Sequence, residues 1–266
     1  MVRLRQLWPW IAIGGICASI PSDGFGFSTA ARDSELERPF VPAVNMSMDR
    51  RSAPAPGELS KRFPAIGLVR CGAATGTGQL TLRNDVITTA AHVLIDQFGK
   101  RRIGCVFEPM GGEGSGPIPL DYASIITGST TPLSQPATRD WGVARLVAPV
   151  SGATPYALAG APDVPVPVTM CAGGNRSDAA IGVEKCSIRR VIGMAGDGIQ
   201  EFAIDCNAGP GSSGAALVSG NRILGIYVGY RSEAPQKAQA FSKRHYNFAI
   251  SVSGPFRRAL LAAAAR

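Results

Sequence analysis

Residues 205–217 read Asp-Cys-Asn-Ala-Gly-Pro-Gly-Ser-Ser-Gly-Ala-Ala-Leu, a loop of small residues that leads into an apolar strand. Three glycines and a proline fall within residues 209–214, which enforces a compact and unusual backbone. Such a backbone lets amide N–H groups converge on one point. Ser213 would lie beside that point as a nucleophile, with donors aimed where negative charge develops in acyl transfer. By itself, the string also fits an ordinary hairpin turn.

A base for this serine has to be one of only two histidines, His92 and His245. His92 follows an apolar strand that ends in small residues, at the start of a predicted short helical turn. A carboxylate to orient the imidazole is available at Asp140, directly before another apolar segment, with Asp121 and Asp96 as alternatives. A nucleophile, a base and an orienting carboxylate are the parts of a catalytic triad.

Three short blocks resemble the catalytic blocks of the chymotrypsin/trypsin-like serine protease superfamily, and they occur in that family's order. The tail at 246–252, followed by an apolar C-terminal segment, resembles the bacterial glutamyl-endopeptidase branch. The resemblance covers roughly residues 60–262. The three blocks are Thr89-Ala90-Ala91-His92, Asp140-Trp141-Gly142-Val143-Ala144 and Gly211-Ser212-Ser213-Gly214.

The resemblance implies a secreted, trypsin-like serine endopeptidase that hydrolyses peptide bonds through an acyl-enzyme. In that family's mechanism Ser213 attacks the carbonyl, His92 takes and returns the proton, and Asp140 fixes the imidazole tautomer. The backbone N–H groups of Gly211 and Ser213 would form the oxyanion hole. The expected partner is a peptide or protein substrate, the expected state is a monomer, and no cofactor or metal is implied.

Three positions depart from the family's patterns. Ser212 stands where trypsins have an aspartate that pairs with the new N-terminus, so trypsin-style activation is not supported. Asn207 stands at the specificity aspartate, which argues against a strong Arg or Lys preference. Tyr227 replaces the pocket histidine of glutamyl endopeptidases, which argues against a glutamate preference. The segment 226–230 is expected to pair with an extended substrate. The predicted substrate-binding residues are Asn207, Tyr227, Val228, Gly229 and Tyr230, and the role of His245 stays open between a surface loop and the pocket.

The fold class predicted from the sequence is all-β. From residue 65 onward, short apolar runs alternate with Gly, Pro and Asn clusters, as in antiparallel barrels and sandwiches. The resemblance implies two antiparallel six-stranded barrels, the first at 61–150 with His92 and Asp140, the second at 151–266 with Ser213. The active site would lie between them. The Pro-rich segment 161–167 is expected to connect them, and 256–265 is expected to form a C-terminal helix.

The N-terminal region is expected to be removed or flexible. Residues 1–30 combine a basic start with an apolar run and small residues, as in a secretory signal peptide. Residues 31–60 are polar and Pro-containing, which indicates a flexible leader or propeptide. No second apolar segment is long enough to span a bilayer, so no membrane span is expected in the mature chain. A secreted or periplasmic location follows.

Cysteine usage also favours an oxidising compartment. Beyond Cys17 there are five cysteines, and the sequence alone leaves their pairing open. Our expectation is Cys71–Cys105, which would tie strands that flank the histidine, and Cys186–Cys206, which would fix the Ser213 loop. Cys171 would remain a buried thiol. A metal site is disfavoured because the chain has no Cys-x-x-Cys and only two histidines.

The net charge of +8 invites a nucleic-acid or an envelope-surface hypothesis. A nucleic-acid partner is not expected, because the basic residues are scattered apart from 243–244 and 257–258. One alternative function is a catalytically inactive protease homologue that binds peptides or envelope partners. The other is a basic adhesion or structural protein of the cell envelope.

Overall fold

The computed structural model describes residues 56–110, 116–132, 136–173, 182–233 and 240–266. The predicted signal peptide and residues 31–55 of the predicted leader lie outside this part of the chain. Residues 56–60 do not match a flexible leader, because Pro56–Arg62 forms helix α1. Leu59 of this helix is buried in a hydrophobic core, and that contact holds the helix in place.

The first barrel is closed, with six antiparallel strands in the order β1-β2-β3-β6-β5-β4. A one-turn helix, α2 (Ala91–Leu94), follows β3, and a 3₁₀ turn (Ala137–Arg139) precedes β6. The strands are β1 (Ile66–Cys71), β2 (Ala74–Leu80), β3 (Val86–Thr89), β4 (Cys105–Pro109), β5 (Ile118–Thr127) and β6 (Gly142–Leu146).

The second barrel closes in the order β11-β8-β9-β10-β13-β12, because β11 also pairs with β12. A short strand, β7, adds to β12 in parallel. The prediction of an all-β protein with two six-stranded antiparallel barrels is therefore confirmed. The strands are β7 (Ala157–Leu158), β8 (Val166–Ala172), β9 (Gly182–Met194), β10 (Gln200–Ile204), β11 (Ala216–Ser219), β12 (Arg222–Ser232) and β13 (His245–Ser251).

The predicted connection at 161–167 is wrong at its end, since Val166 and Pro167 already belong to β8. At Pro167, β8 pairs with β9, while its ladder with β11 involves only Thr169 and Met170. A strand position with a partner on one side tolerates proline, because the missing N–H is not needed there.

The C-terminal helix α3 (Gly254–Ala264) follows the last strand of the second barrel but packs on the first. Its buried Phe256 stacks on Trp141, with ring centroids 5.1 Å apart. This contact fastens the helix to the segment that carries Asp140. Among the described residues, no helix is long and apolar enough to cross a bilayer.

Two disulfides are present, and they join the pairs expected above. Cys71–Cys105 links β1 to β4, and Cys186–Cys206 links β9 to the loop that leads to Ser213. Cys171 is a fully buried free thiol, and burial raises its pKa to about 12.

A charged cluster joins the start of β3 to the end of β6. Arg83 donates to Asp85 Oδ1 at 2.8 Å, and Arg145 of β6 donates to Asp85 Oδ2 at 2.5 Å. The hydrogen bond from Arg83, reinforced by Arg145 against the opposing effect of burial, holds the pKa of Asp85 below its ordinary value. The cluster therefore stabilises the pairing of β3 with β6, the two strands next to His92 and Asp140.

Candidate active site

The pairing of β3 with β6 brings His92 to Asp140. Thr89 lies opposite Gly142 in this ladder, so the segment after β3 and the segment before β6 meet at one end of the barrel. Gly142 lets the Leu94 side chain of α2 pack against β6, because a Cβ at this position would lie 2.7 Å from it. The register of two strands thus places a histidine and a carboxylate side by side.

Asp140 contacts His92 twice. Its Oδ2 lies 2.6 Å from His92 Nδ1, and its Oδ1 accepts the His92 backbone N–H at 2.9 Å. Asp140 is fully buried, whereas the His92 side chain keeps 14% of its surface exposed. A carboxylate at Nδ1 places the ring proton there and leaves Nε2 as the basic nitrogen.

The two alternative carboxylates accept hydrogen bonds from backbone N–H groups a few residues away in the chain. Asp96 Oδ1 accepts the N–H groups of Phe98 and Lys100, and Asp121 Oδ1 accepts the N–H of Ala123. Asp140 is the carboxylate that the structure brings to the His92 ring.

The Ser213 loop is held by its own hydrogen bonds. Ser212 is fully buried; its Oγ accepts the Gly209 N–H at 3.1 Å, and its carbonyl accepts the Ala215 N–H at 2.9 Å. Gly211 and Gly214 both have φ +88°, a conformation that favours glycine. In the described part of the chain, the N–H groups of Gly211 and Ser213 donate no hydrogen bond. They are therefore available to an anion.

The loop docks on the first barrel through Thr77 of β2, which is fully buried. The Thr77 N–H donates to the Ser213 carbonyl at 2.8 Å, and Thr77 Oγ1 donates to the Gly211 carbonyl at 2.8 Å. The same Oγ1 accepts the N–H of Gly173 at 2.7 Å. One side chain of the first barrel thus fixes two segments of the second.

Two glycines allow the Ser213 loop to lie close to the first barrel. A Cβ at Gly214 would lie 2.4 Å from the Thr77 carbonyl oxygen and 2.4 Å from Thr89 Oγ1. A Cβ at Gly76 would lie 2.8 Å from the Ser213 carbonyl oxygen and 2.5 Å from the Val93 side chain. Ser213 therefore lies against the chain segment that carries His92, and it is 7% exposed.

The predicted substrate-binding residues lie along β12 and in the loop before Ser213. All five are buried, and burial raises the pKa of Tyr230. The Tyr227 hydroxyl donates to Asn247 Oδ1 at 3.4 Å, and Asn247 in turn donates to the Cys206 carbonyl at 2.6 Å. Tyr227 therefore packs inside the second barrel, with its hydroxyl bound to another side chain.

The predicted substrate-pairing edge at 226–230 is too long by two residues. Ile226 already pairs with Ala216, and the N–H and carbonyl of Tyr227 are bonded to Ala215 and Gly214. Beyond Tyr227, the described strands pair with β12 only on its β13 side. The edge that a substrate could meet therefore starts at Val228.

Two residues that contact the site, Glu184 and Thr77, were not predicted from the sequence. Glu184 of β9 is buried, and its Oε2 accepts the Asn207 N–H at 2.6 Å. Nothing local in the sequence marks that contact. Thr77 had a usable signal, because it lies between Gly76 and Gly78 within a strand, and strand glycines mark a close approach of another backbone.

His245 is the first residue of β13 and is half-buried. Its Nδ1 lies 2.7 Å from Ser232 Oγ, its neighbour across the ladder. It therefore belongs to a strand and not to a surface loop. In the described residues, no group of three or more His, Cys, Asp or Glu side chains could hold a metal ion.

Comparisons with known proteins support the fold. No family model matches the chain, and no curated protein matches its sequence. Solved structures do match. A Glu endopeptidase in complex with MPD covers 84% of this chain and 100% of its own, at 14% identity and a TM-score of 0.64. The thermostable serine protease AL20 from an extremophilic microorganism covers 76% and 97%, at 15% identity and a TM-score of 0.55.

A mammalian enzyme has the same architecture. Neuropsin, a serine protease expressed in the limbic system of mouse brain, covers 73% of this chain and 91% of its own, at 14% identity and a TM-score of 0.55. The chain therefore has the chymotrypsin-like serine protease fold, and its resemblance to that superfamily is confirmed at the level of the fold.

Proposed function

We propose that this chain is a serine endopeptidase that cleaves peptide bonds through an acyl-enzyme. The observation that carries the proposal is the double contact of Asp140 with His92, next to a glycine-rich loop that holds Ser213. Asp140 orients the imidazole, His92 takes the proton of Ser213 and passes it to the leaving amine, and Ser213 forms the ester. The N–H groups of Gly211 and Ser213 stabilise the oxyanion.

The acyl half of the substrate is proposed to lie on the second barrel. The Val228–Tyr230 edge of β12 pairs with the extended peptide, and Asn207 lies at the base of the pocket for the side chain before the cleaved bond. Asn207 puts a neutral amide in place of an aspartate, and the buried, hydrogen-bonded Tyr227 stands in place of a histidine, so these two positions supply neither a carboxylate nor an imidazole. The proposed preference is therefore neither for Arg and Lys nor for Glu.

The same proposal includes export. Two disulfides are compatible with an oxidising compartment. The sequence at 1–30 supports a signal peptide, and 31–55 would then serve as a leader or propeptide. Mass spectrometry of the protein recovered from the medium or periplasm of the producing cell tests this, and an intact N-terminus on a cytosolic protein would contradict it.

Reaction with a fluorophosphonate probe, followed by peptide mapping, tests the catalytic proposal. We expect one label, on Ser213, and its loss in Ser213→Ala and in His92→Ala. The matched control is Ser219→Ala, at an exposed position at the end of β11, which should label and hydrolyse casein like the parent.

Label on another residue would refute the assignment of the nucleophile. A well-folded protein that takes no label, either as the full chain or after removal of residues before 56, would favour the inactive homologue. Binding to envelope material that falls with added salt, without hydrolysis, would favour the adhesion protein.

A further inference from the structure

A cavity of about 480 Å³ opens beside His92, on the first barrel. Its walls come from the start of β2, from α2 and from the turn that follows it, so among the described residues only the first barrel lines it. The residues that line it are Ala74, Thr75, His92, Val93, Ile95, Asp96, Gln97, Phe98 and Arg102.

The position of this cavity assigns it to one half of a substrate. If the proposed function holds, the oxyanion donors and the β12 edge hold the acyl half on the second barrel. His92 delivers its proton to the leaving amine, so the chain that continues from that amine has to pass on the other side of the imidazole. The cavity lies on that side, and it can take the side chain of one of the first two residues after the cleaved bond.

Arg102 gives this cavity its chemical character. Its Nε is buried and has no hydrogen-bond partner, and within the described residues its guanidinium makes no ion pair. Its backbone N–H donates to the Leu94 carbonyl at 2.8 Å, which ties the residue to the helix that carries His92. Because Nε itself is buried, a carboxylate in the cavity would pair with the terminal Nη groups of the guanidinium, and such a charge-assisted pair is among the stronger hydrogen bonds.

The other charged group of the cavity is Asp96. Its Oδ1 is already occupied by the N–H groups of Phe98 and Lys100 at 2.9 Å each, and it makes no ion pair with Arg102. The exposed Phe98 ring adds an apolar surface at the cavity. An acidic side chain with an aliphatic stem matches an unpaired guanidinium next to an aromatic ring.

We propose that Arg102 selects substrates that carry a carboxylate, Glu or Asp, at the first or second position after the cleaved bond. This inference rests on the proposed peptidase function. It concerns the leaving-group half of the substrate and is independent of the residue before the cleaved bond.

The test uses quenched fluorescent peptides that share one cleaved sequence and differ only in Glu, Gln or Lys at each of these two positions. For the wild type we expect kcat/KM to be about ten-fold higher for Glu than for Gln at one of them, the effect of a charge-assisted hydrogen bond at a partly solvated site. In Arg102→Gln the ratio should fall to about one, and Arg102→Lys should restore part of it.

The matched control is Arg101→Gln. Arg101 is exposed, its guanidinium lies over the Tyr122 ring, and it does not line the cavity. Active-site titration with the fluorophosphonate probe normalises every rate to the fraction of folded sites, so a poorly folded variant does not imitate a loss of selectivity. A wild-type Glu to Gln ratio near one at both positions would overturn the inference even if no Arg102 variant folds.

The two proposals fail in different ways. Absence of label on Ser213 would remove the peptidase function, and this inference with it. Label on Ser213 together with cleavage that ignores the charge after the bond, or with a Glu preference that survives in Arg102→Gln, would overturn the role of Arg102 alone.

Discussion

Replacing Thr77 with valine should separate the stability of the fold from the alignment of the site. The change keeps the branched shape and removes one hydroxyl, which accepts the Gly173 N–H at 2.7 Å and donates to the Gly211 carbonyl at 2.8 Å. Thr77 is fully buried, so water does not replace the lost partner without rearrangement. Two main-chain groups in two segments of the second barrel would lose their link to the first.

The size of the effect follows from these two bonds. Leaving a buried donor or acceptor without a partner costs roughly 1–3 kcal/mol, and the gain from burying a methyl group in place of a hydroxyl offsets about 0.8 kcal/mol. With two such groups left without a partner, we expect Thr77→Val to lower the free energy of unfolding by about 1–5 kcal/mol. The Gly211 peptide bears a proposed oxyanion donor, and a displacement of about 1 Å in such a group reduces turnover on the order of 100-fold.

The assay compares urea unfolding with the rate constant for fluorophosphonate labelling of Ser213, both measured on the full chain. Thr81→Val is the matched control, because Thr81 is also fully buried but its Oγ1 contacts only the Gln79 carbonyl at 3.3 Å and the Thr88 hydroxyl at 3.2 Å, both in the first barrel. The control should lose about 1 kcal/mol and label normally. If Thr77→Val labels as fast as Thr81→Val, Thr77 does not position the loop and the reasoning is wrong.

Three further changes test the backbone at Gly214, the charge of Asp85 and the thiol of Cys171. Gly214→Ala should abolish labelling and destabilise the fold much more than Gly220→Ala; both residues have positive φ, but a Cβ at Gly214 would lie 2.4 Å from the Thr77 carbonyl oxygen, whereas a Cβ at Gly220 meets nothing within 4 Å. Equal urea midpoints would contradict this. Asp85→Asn should cost about 1–2 kcal/mol above pH 5. Because the pKa of Asp85 is lowered in the folded state, this difference should shrink as the pH falls below the unfolded value of about 4, and a difference that stays constant down to pH 2.5 would exclude the pairing. In a chain with Cys17→Ser, a thiol reagent at pH 8 should find no reactive group in the native protein, since the Cys171 thiol is buried with a pKa raised to about 12, and one group after unfolding without reductant; none or three would refute the disulfide scheme.

The parts of the site that the sequence predicted are those encoded by local patterns. Small residues around Ser213 and a histidine directly after an apolar strand can be recognised within about ten residues each. The resemblance predicts the contact of His92 with Asp140, with Asp121 and Asp96 as alternatives, and the structure shows that the pairing of β3 with β6 produces it. In each instance the chemistry needs the residue type and the local backbone together.

The glycines beside Thr77 indicate that another backbone approaches there, but neither the partners of Thr77 nor the contact of Glu184 could be predicted in that way. Thr77 bonds to a carbonyl 134 residues further along the chain, and no periodicity records such a pairing. The substrate edge was predicted too long for a related reason. The loop after Ser213 returns as β11 and occupies the β12 edge at Ile226, a fact that depends on which side of the strand the hairpin folds.

The contacts of β2 make the alignment of the site depend on how the two barrels dock. His92 and Asp140 belong to the first barrel, and Ser213 to the second, so their alignment depends on how the barrels dock. β2 belongs to the first barrel, yet its Thr77 makes one hydrogen bond each with Ser213, Gly211 and Gly173 of the second. The C-terminal helix adds a second tie, because it leaves the second barrel and stacks Phe256 on Trp141, next to Asp140. Loosening either tie would move a nucleophile relative to its base without unfolding either barrel. Labelling of Ser213 should therefore decline at lower urea concentration than the loss of β-structure in variants of these ties, and at the same concentration in variants within a single barrel core.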